Sequence, residues 1–381
     1  MTMAFDHYVR SGTRLLRCGY TTGTCAALAA AGAAELLLTG QAPESLSLRT
    51  PKGWVIEIAP EICRTEGETA FCAVRKDAGD DPDVTNGLLV CARVEKTPKG
   101  VSIDGGEGVG RVTKPGLDQP IGAAAINTVP RQMIRAALEA VCAETGYSGG
   151  LSAVISVPEG AAAAQKTFNP MLGVEGGISI LGTSGVVEPM SEQALVDTIA
   201  VQLRQAAASG EKRLILTPGS YGLDFLRETF PALASVPVVK CSNFIGDALD
   251  IAALEGFGSV LLIGHFGKLV KLAAGVMNTH SRFADARLES ITAHAALCGA
   301  TTEVCRALMR QVTTDGCLAV LEGAGLREPV TASLLAAMQR HLDRRTGDVF
   351  TVGTITFSNQ YGLLGMTEPA ETMLRDWGAA K

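Results

Sequence analysis

Aromatic residues are scarce in this chain: they make up 5% of its 381 residues, with only two tryptophans. Positive charge is not in excess either. The formal net charge is −6, which removes the long-range attraction that polyanion binders rely on. No nucleic-acid partner is expected, and any anionic ligand must be met by local Lys and Arg. The ten cysteines include no CxxC pair. The closest spacings, Cys18 to Cys25 and Cys298 to Cys305, fit no zinc site, so no protein metal site is expected. Thiols scattered in this way suit a reducing compartment and act as small apolar fillers. No apolar run approaches the ~20 residues that a bilayer-spanning helix needs. The stretch CAALAAAGAAELLL after Arg14 and Arg17 imitates a leader peptide. Thr21, Thr22 and Thr24 interrupt its front, however, and Glu35 lies inside it. It reads as a buried helix of a cytoplasmic enzyme with no membrane partner. Solenoid repeats and protease, kinase or zinc signatures are also missing.

What is present is a globular composition, 47% hydrophobic and 19% charged, on a chain long enough for two domains and compatible with a homo-oligomer. GYTTGT (19–24) offers three threonines as N-caps for an alanine-rich helix over 25–38. SLSLRT, WVIEIAP, TAFCAVRKD and LLVCARVEK follow as short strands of a mixed or antiparallel sheet. Between two of them, VRKDAGDDPDVTNG (74–87) is either a solvated turn or a ligand-contacting loop; it lacks the Gly and final Glu of a calcium loop. DGGEGVGRVTKPGL (104–117) imitates a dinucleotide fingerprint, but no helix follows. It is left as a glycine-rich loop with Arg111 and Lys114, able to lie over an anion. A helix is expected over 126–146, with Pro130 near its start and Gly146 at its end.

After FNPMLGVEGG the rhythm changes to strand, loop, helix, repeated, which implies βαβ units and a parallel sheet. The expected fold class is multi-domain α/β: a mixed α+β N-terminal domain, 1–168, and a Rossmann-like domain, 169–381. The densest chemistry lies in SVLLIGHFGKLVKLAAGVMNTHSRFADARLE (259–289), read as strand, glycine turn and helix. In such a sheet ligands bind at the carboxyl ends of the strands, which draws His265, Lys268, Asn278, His280 and Arg282 towards one pocket. GTSG (182–185) is either a tight βα turn or an anion cradle. PGSYG and KCSNFIGD follow the next two strands, so that three turns would build one cleft. GHFGK is not a phosphate loop: Leu261 and Leu262 stand where a Gly is needed, and Leu269 where a Ser or Thr is needed.

LRCGYTTGTCAALAA, VRKDAGDDPDVTNG, GEGVGRVTKPGL, ISILGTSGVVEPMS, KCSNFIGD, LIGHFGKLVKLAAGVMNTHSR and YGLLG, in this order from Leu15 to Gly365, resemble the cobalt-precorrin-5B C(1)-methyltransferase family, CbiD. CGY stands where the family has TGY, and IGAAAIN departs from GEPAIN. The resemblance implies methyl transfer from S-adenosylmethionine to C-1 of a cobalt-containing tetrapyrrole, giving cobalt-precorrin-6A. It brings no established catalytic residues. On the residues' own chemistry, His265 and then Asp247 are the candidate bases. Gly182, Thr183, Ser184, Gly185 and Asn243 are the candidate cofactor contacts. Arg75, Lys76, Lys114, Lys240, Lys268 and Arg282 are the candidates for the substrate's carboxylates. A non-catalytic tetrapyrrole carrier, or an α/β enzyme on a phosphorylated small molecule, are the alternatives.

Overall fold

Alanine, the best helix former, dominates helix α1 (Thr22–Thr39) and lets neighbouring elements approach closely. Thr21 caps its start, the side chain accepting from Thr24 N–H at 3.2 Å, and Gly40 ends it in the left-handed region at φ 77°. By length and composition α1 could cross a membrane, yet 72% of that window is buried inside the protein. A helix apolar on every side belongs in a core. It packs against α2 (Thr128–Thr145) and against a mixed sheet. In the computed structural model of the chain, residues 5–167 and 169–379 are described.

That sheet is built of β1 (Ile62–Glu66), β2 (Thr69–Arg75), β3 (Leu89–Thr97), β4 (Val101–Gly105) and β5 (Gly150–Ser156), in the order β1-β2-β3-β5-β4. Only β5 and β4 run parallel. SLSLRT and WVIEIAP form a separate hairpin (Leu46–Arg49 with Val55–Ile58). Tyr8–Ser11 and Arg14–Arg17 form another.

The chain divides into two compact units, Met1–Glu192 and Gln193–Lys381. Residues 169–192 therefore fold with the first unit, although the sequence grouped them with the second; Phe168, at that expected boundary, lies outside the described residues. The reason is backbone pairing. Val174–Glu175 pairs with Arg111–Val112, and Val186–Val187 pairs with Gly19–Tyr20. ISILG, which the sequence makes the strand before GTSG, is not a sheet strand: Ile178 and Ile180 make isolated bridges to Val109 and Ile126.

The second unit follows the expected rhythm. Helix α3 (Glu192–Ala208) precedes β6 (Arg213–Thr217), α4 (Ser220–Thr229), β7 (Val238–Lys240), α5 (Ile245–Leu254) and β8 (Ser259–His265). A short helix α6 (Phe266–Leu269) then runs into a 3₁₀ turn, Val270–Ala274. Helices α7 (Arg287–Leu297), α8 (Thr302–Met309), α9 (Thr314–Gly323) and α10 (Arg327–Thr346) lead to β9 (Thr351–Ser358), β10 (Gly362–Met366) and α11 (Glu368–Asp376). The sheet order is β7-β6-β8-β9-β10, parallel except for the β10 edge. Alternation along the strands feeds two cores. Leu214, Leu216, Val260 and Leu262 face α5 and the helices of 287–346, while Ile215, Leu261, Ile263 and Phe357 face α4 and α11.

Candidate active site

The chain enters the second sheet at β6, adds β7 on one side, then crosses back to add β8 on the other. The strand order thus reverses between β6 and β8, and in open α/β sheets ligands bind at the carboxyl ends of the strands at such a reversal. The sequence places two turns at this point, PGSYG after β6 and HFGK after β8. Lys268 joins them: its Nζ donates to the Pro218 carbonyl at 2.8 Å. Burial lowers the Lys268 pKa from its ordinary value. Cys241 begins the neighbouring turn, its N–H donating to Thr217 O at 2.9 Å. Burial pushes its thiol up to about 12, so it stays neutral and unreactive at neutral pH.

His265 ends β8 and caps α6. Its Nδ1 accepts the Gly267 N–H at 3.1 Å. Burial also lowers its pKa, against an opposing pull from the Asp315 carboxylate. A neutral imidazole accepting at Nδ1 carries its proton on Nε2. With Nδ1 occupied by the Gly267 amide, the neutral ring of His265 offers a donor at Nε2. Its ring stands edge-on to Phe357 at 5.7 Å, and the ring of Tyr221 lies 6.5 Å away. Tyr221 is 65% exposed. Asp315, in the first turn of α9, accepts from Ser358 Oγ at 2.8 Å at the end of β9. Gly219 completes the edge. Its backbone is extended, and a Cβ there would meet nothing within 4 Å. Neither conformation nor packing requires a glycine at this position.

Beside this edge lies the 276–286 loop. Thr279 N–H donates to Asn243 O at 2.9 Å, and Thr279 Oγ1 to Asn243 Oδ1 at 3.2 Å. Asn243 thus holds this loop. Lys240 is exposed at the end of β7, and Asp247 is half-buried in the first turn of α5. Arg282 lies over the Phe283 ring, 5.3 Å from its centroid.

The other sequence candidates belong to the first unit. Gly182, Thr183, Ser184 and Gly185 are not at a tip of the parallel sheet. They lie against the start of α1: Gly23 N–H donates to Leu181 O at 3.0 Å, Thr24 Oγ1 to Gly185 O at 2.6 Å, and Lys52 N–H to Ser184 O at 3.0 Å. The α1 N-terminus is closed by protein groups: Thr21 caps it, and Thr22 Oγ1 accepts the Leu181 N–H at 3.0 Å. Lys76 is 2% exposed and bonded to Asp83 Oδ2 at 2.6 Å, which makes it a support for the Asp-rich turn. Arg75 pairs with Glu61 at 2.8 Å on the surface, and Lys114 reaches Met171 O at 3.3 Å. Each aspartate of that turn is also committed: Asp77 to Arg17 at 2.6 Å, Asp80 to Arg17 N–H at 2.6 Å, and Asp81 to Met190 N–H at 3.1 Å. Among the described residues no cluster of His, Cys, Asp and Glu is arranged to hold a metal.

Residues 9–189 match the CbiD family, and residues 278–368 match its C-terminal domain. A cobalt-precorrin-5B C(1)-methyltransferase from Ruminiclostridium cellulolyticum is 46% identical over 93% of this chain and 92% of its own. The chain belongs to the CbiD family. CbiD relatives of the same name from Alkaliphilus metalliredigens (40% identity, 97% of each chain) and Moorella thermoacetica (43%, 95% of this chain and 98% of that one) match as fully. A crystal structure of a cobalamin biosynthesis protein (cbiD) from Archaeoglobus fulgidus is 29% identical and covers 73% of this chain and 86% of that one, with a TM-score of 0.39. The first CbiD match ends close to the limit of the first compact unit at Glu192.

Sequence reasoning missed Asp315 and Ser358, which the fold brings to the carboxyl edge from distant stretches, and did not single out Tyr221 within the PGSYG turn. TTDG, a cap pattern starting a helix, was the available signal for Asp315. For Tyr221 it was an aromatic placed directly after a glycine turn.

Proposed function

We propose that this chain transfers a methyl group from S-adenosylmethionine to C-1 of cobalt-precorrin-5B, with the carboxyl edge of the second sheet as the site. The observation that carries the reaction is the relatives' common name, shared at 40–46% identity over more than nine-tenths of this chain. The residues at the edge suit the methyl donor. The space over Gly219 admits a ligand against the backbone. Lys268 would meet a carboxylate, Asp315 would accept from hydroxyl or amino groups, and Tyr221 offers a flat exposed face. Bound there, S-adenosylmethionine supplies an electrophilic methyl. The protein's share of the work is alignment and exclusion of water. His265 Nε2–H would stabilise negative charge at a ring nitrogen or carboxylate near the reacting carbon. Asp247 is the second candidate base after His265. Lys240 and Arg282, both on the second unit, would meet carboxylates of the macrocycle, and the cobalt arrives within the substrate.

Incubation with methyl-deuterated S-adenosylmethionine and the cobalt substrate should give a product carrying the labelled methyl by mass spectrometry. Corrinoid binding without any calorimetric affinity for S-adenosylhomocysteine would instead favour a carrier. Competition by inorganic phosphate would favour a phosphorylated substrate. His265→Ala should lower the single-turnover rate about 10–100-fold through loss of a donor. It should cost about 1 kcal/mol of stability through loss of the α6 cap. An unchanged rate removes His265 from the chemistry.

A further inference from the structure

Lys271 is a buried charge of the second unit that the proposed chemistry does not use. Its residue is 3% exposed, within the turn Val270–Ala274 and between apolar Val270 and Leu272. Nζ donates to Thr279 O at 3.0 Å and to Ala284 O at 2.9 Å, with Asp285 Oδ1 at 3.9 Å. One ammonium thus holds both ends of a six-residue excursion, 279–284. Burying an ammonium is costly even when it is paired, and carbonyl oxygens offset the cost only in a fixed geometry. The tip of the excursion is outward-facing: His280, Ser281, Arg282 and Phe283 are all exposed. Its shape is set further by His280 Nδ1, which accepts the Arg282 N–H at 3.0 Å, and by His280 N–H, which donates to Asn278 Oδ1 at 3.1 Å. Its base is tied to the turn after β7 through the Phe244–Asn278 bridge. The tip therefore stands at the edge where the substrate is placed.

We infer that Lys271 is a positioning residue: it clasps the 279–284 loop so that Arg282 and His280 meet carboxylates of the tetrapyrrole. This rests on the tetrapyrrole reading of the substrate. A loop fixed before binding loses less conformational entropy on contact, and a guanidinium gains most from a carboxylate when its fork is held in place.

The probe is cobyrinic acid, a stable cobalt corrin with free side-chain carboxylates, titrated by absorbance against wild type, Lys271→Met, Arg282→Ala and the double variant. Each single variant should weaken corrin binding about tenfold, the size of one lost charge-assisted contact. The double variant should be little weaker than either single one, because both remove the same contact. Affinity for S-adenosylhomocysteine should stay within about twofold, and turnover should show a raised KM with kcat retained. Additive losses, or equal loss of S-adenosylhomocysteine affinity, would overturn the inference and leave Lys271 a general packing element. Should Lys271→Met fail to fold, hydrogen exchange on the wild type decides: amides of 279–284 should slow on adding cobyrinic acid, and unchanged exchange there, with corrin bound, would overturn the inference. Wild-type protein that binds no corrin at all would sink the functional reading instead.

Discussion

Glycine does opposite work at the chain crossings of the first unit and at one strand tip of the second. In the first, glycines let backbones cross. A Cβ on Gly108, at φ 69°, would overlap the Val157 carbonyl, and the Gly108 carbonyl in turn lies where Cβ atoms of Gly160 and Gly177 would be. Gly19 and Gly79 do the same where the GYTTGT and Asp-rich segments cross. In the second unit, Gly219 faces open space at a strand tip. The motifs densest in glycine and aspartate are thus held by packing, while the sparser edge is left available for chemistry. Glycine content alone does not separate a ligand cradle from a chain crossing. What a side chain would touch does.

The contrast can be broken most forcefully at Gly108. Gly108→Ala should cost more than about 3 kcal/mol in denaturant unfolding, because both backbone angle and space forbid the methyl; a change within experimental error would mean that the crossing is loose. Next comes Lys76→Met, which strands the half-buried Asp83 carboxylate. It should cost about 2–3 kcal/mol, and adding Asp83→Asn should recover part of that. At Gly219 the pattern should invert. Gly219→Ala should leave stability within about 1 kcal/mol while reducing S-adenosylhomocysteine affinity by calorimetry; strong destabilisation would place Gly219 with the crossing glycines.

The smallest effect is electrostatic. The Arg17 guanidinium, with the Gly79 amide, holds the Asp77 carboxyl below its ordinary range. A carboxylate lowered in the folded state contributes stability above its unfolded pKa and loses it as pH falls through the folded one. The first unit should therefore lose stability below about pH 4. Asp77→Asn should flatten that acid limb, and an unaltered limb would remove the pair from the account.

Much of the second unit was legible, because strands and helices alternate there with clear period and turn chemistry. From residue 259 on the sequence reads as strand, glycine turn and helix, and β8 ends at that turn, at His265. ISILG was misread since its isoleucines are buried by a crossing chain, which leaves the same apolar signature as a strand. The GLLGM edge strand, β10, gave no signal between its glycines. Lys271 carries no signal of its own in the sequence, where it follows Lys268 by one turn; only the returning loop shows that it is buried. The direction of the His265 proton was also beyond the sequence, since it depends on one backbone amide two residues on.

A crystal structure with S-adenosylhomocysteine tests the central claim most directly. The ligand should lie over Gly219, with its polar groups on Lys268 and Asp315 and its path flanked by His265 and Tyr221. A ligand seated instead against Gly182, Thr183, Ser184 and Gly185 of the first unit would contradict it.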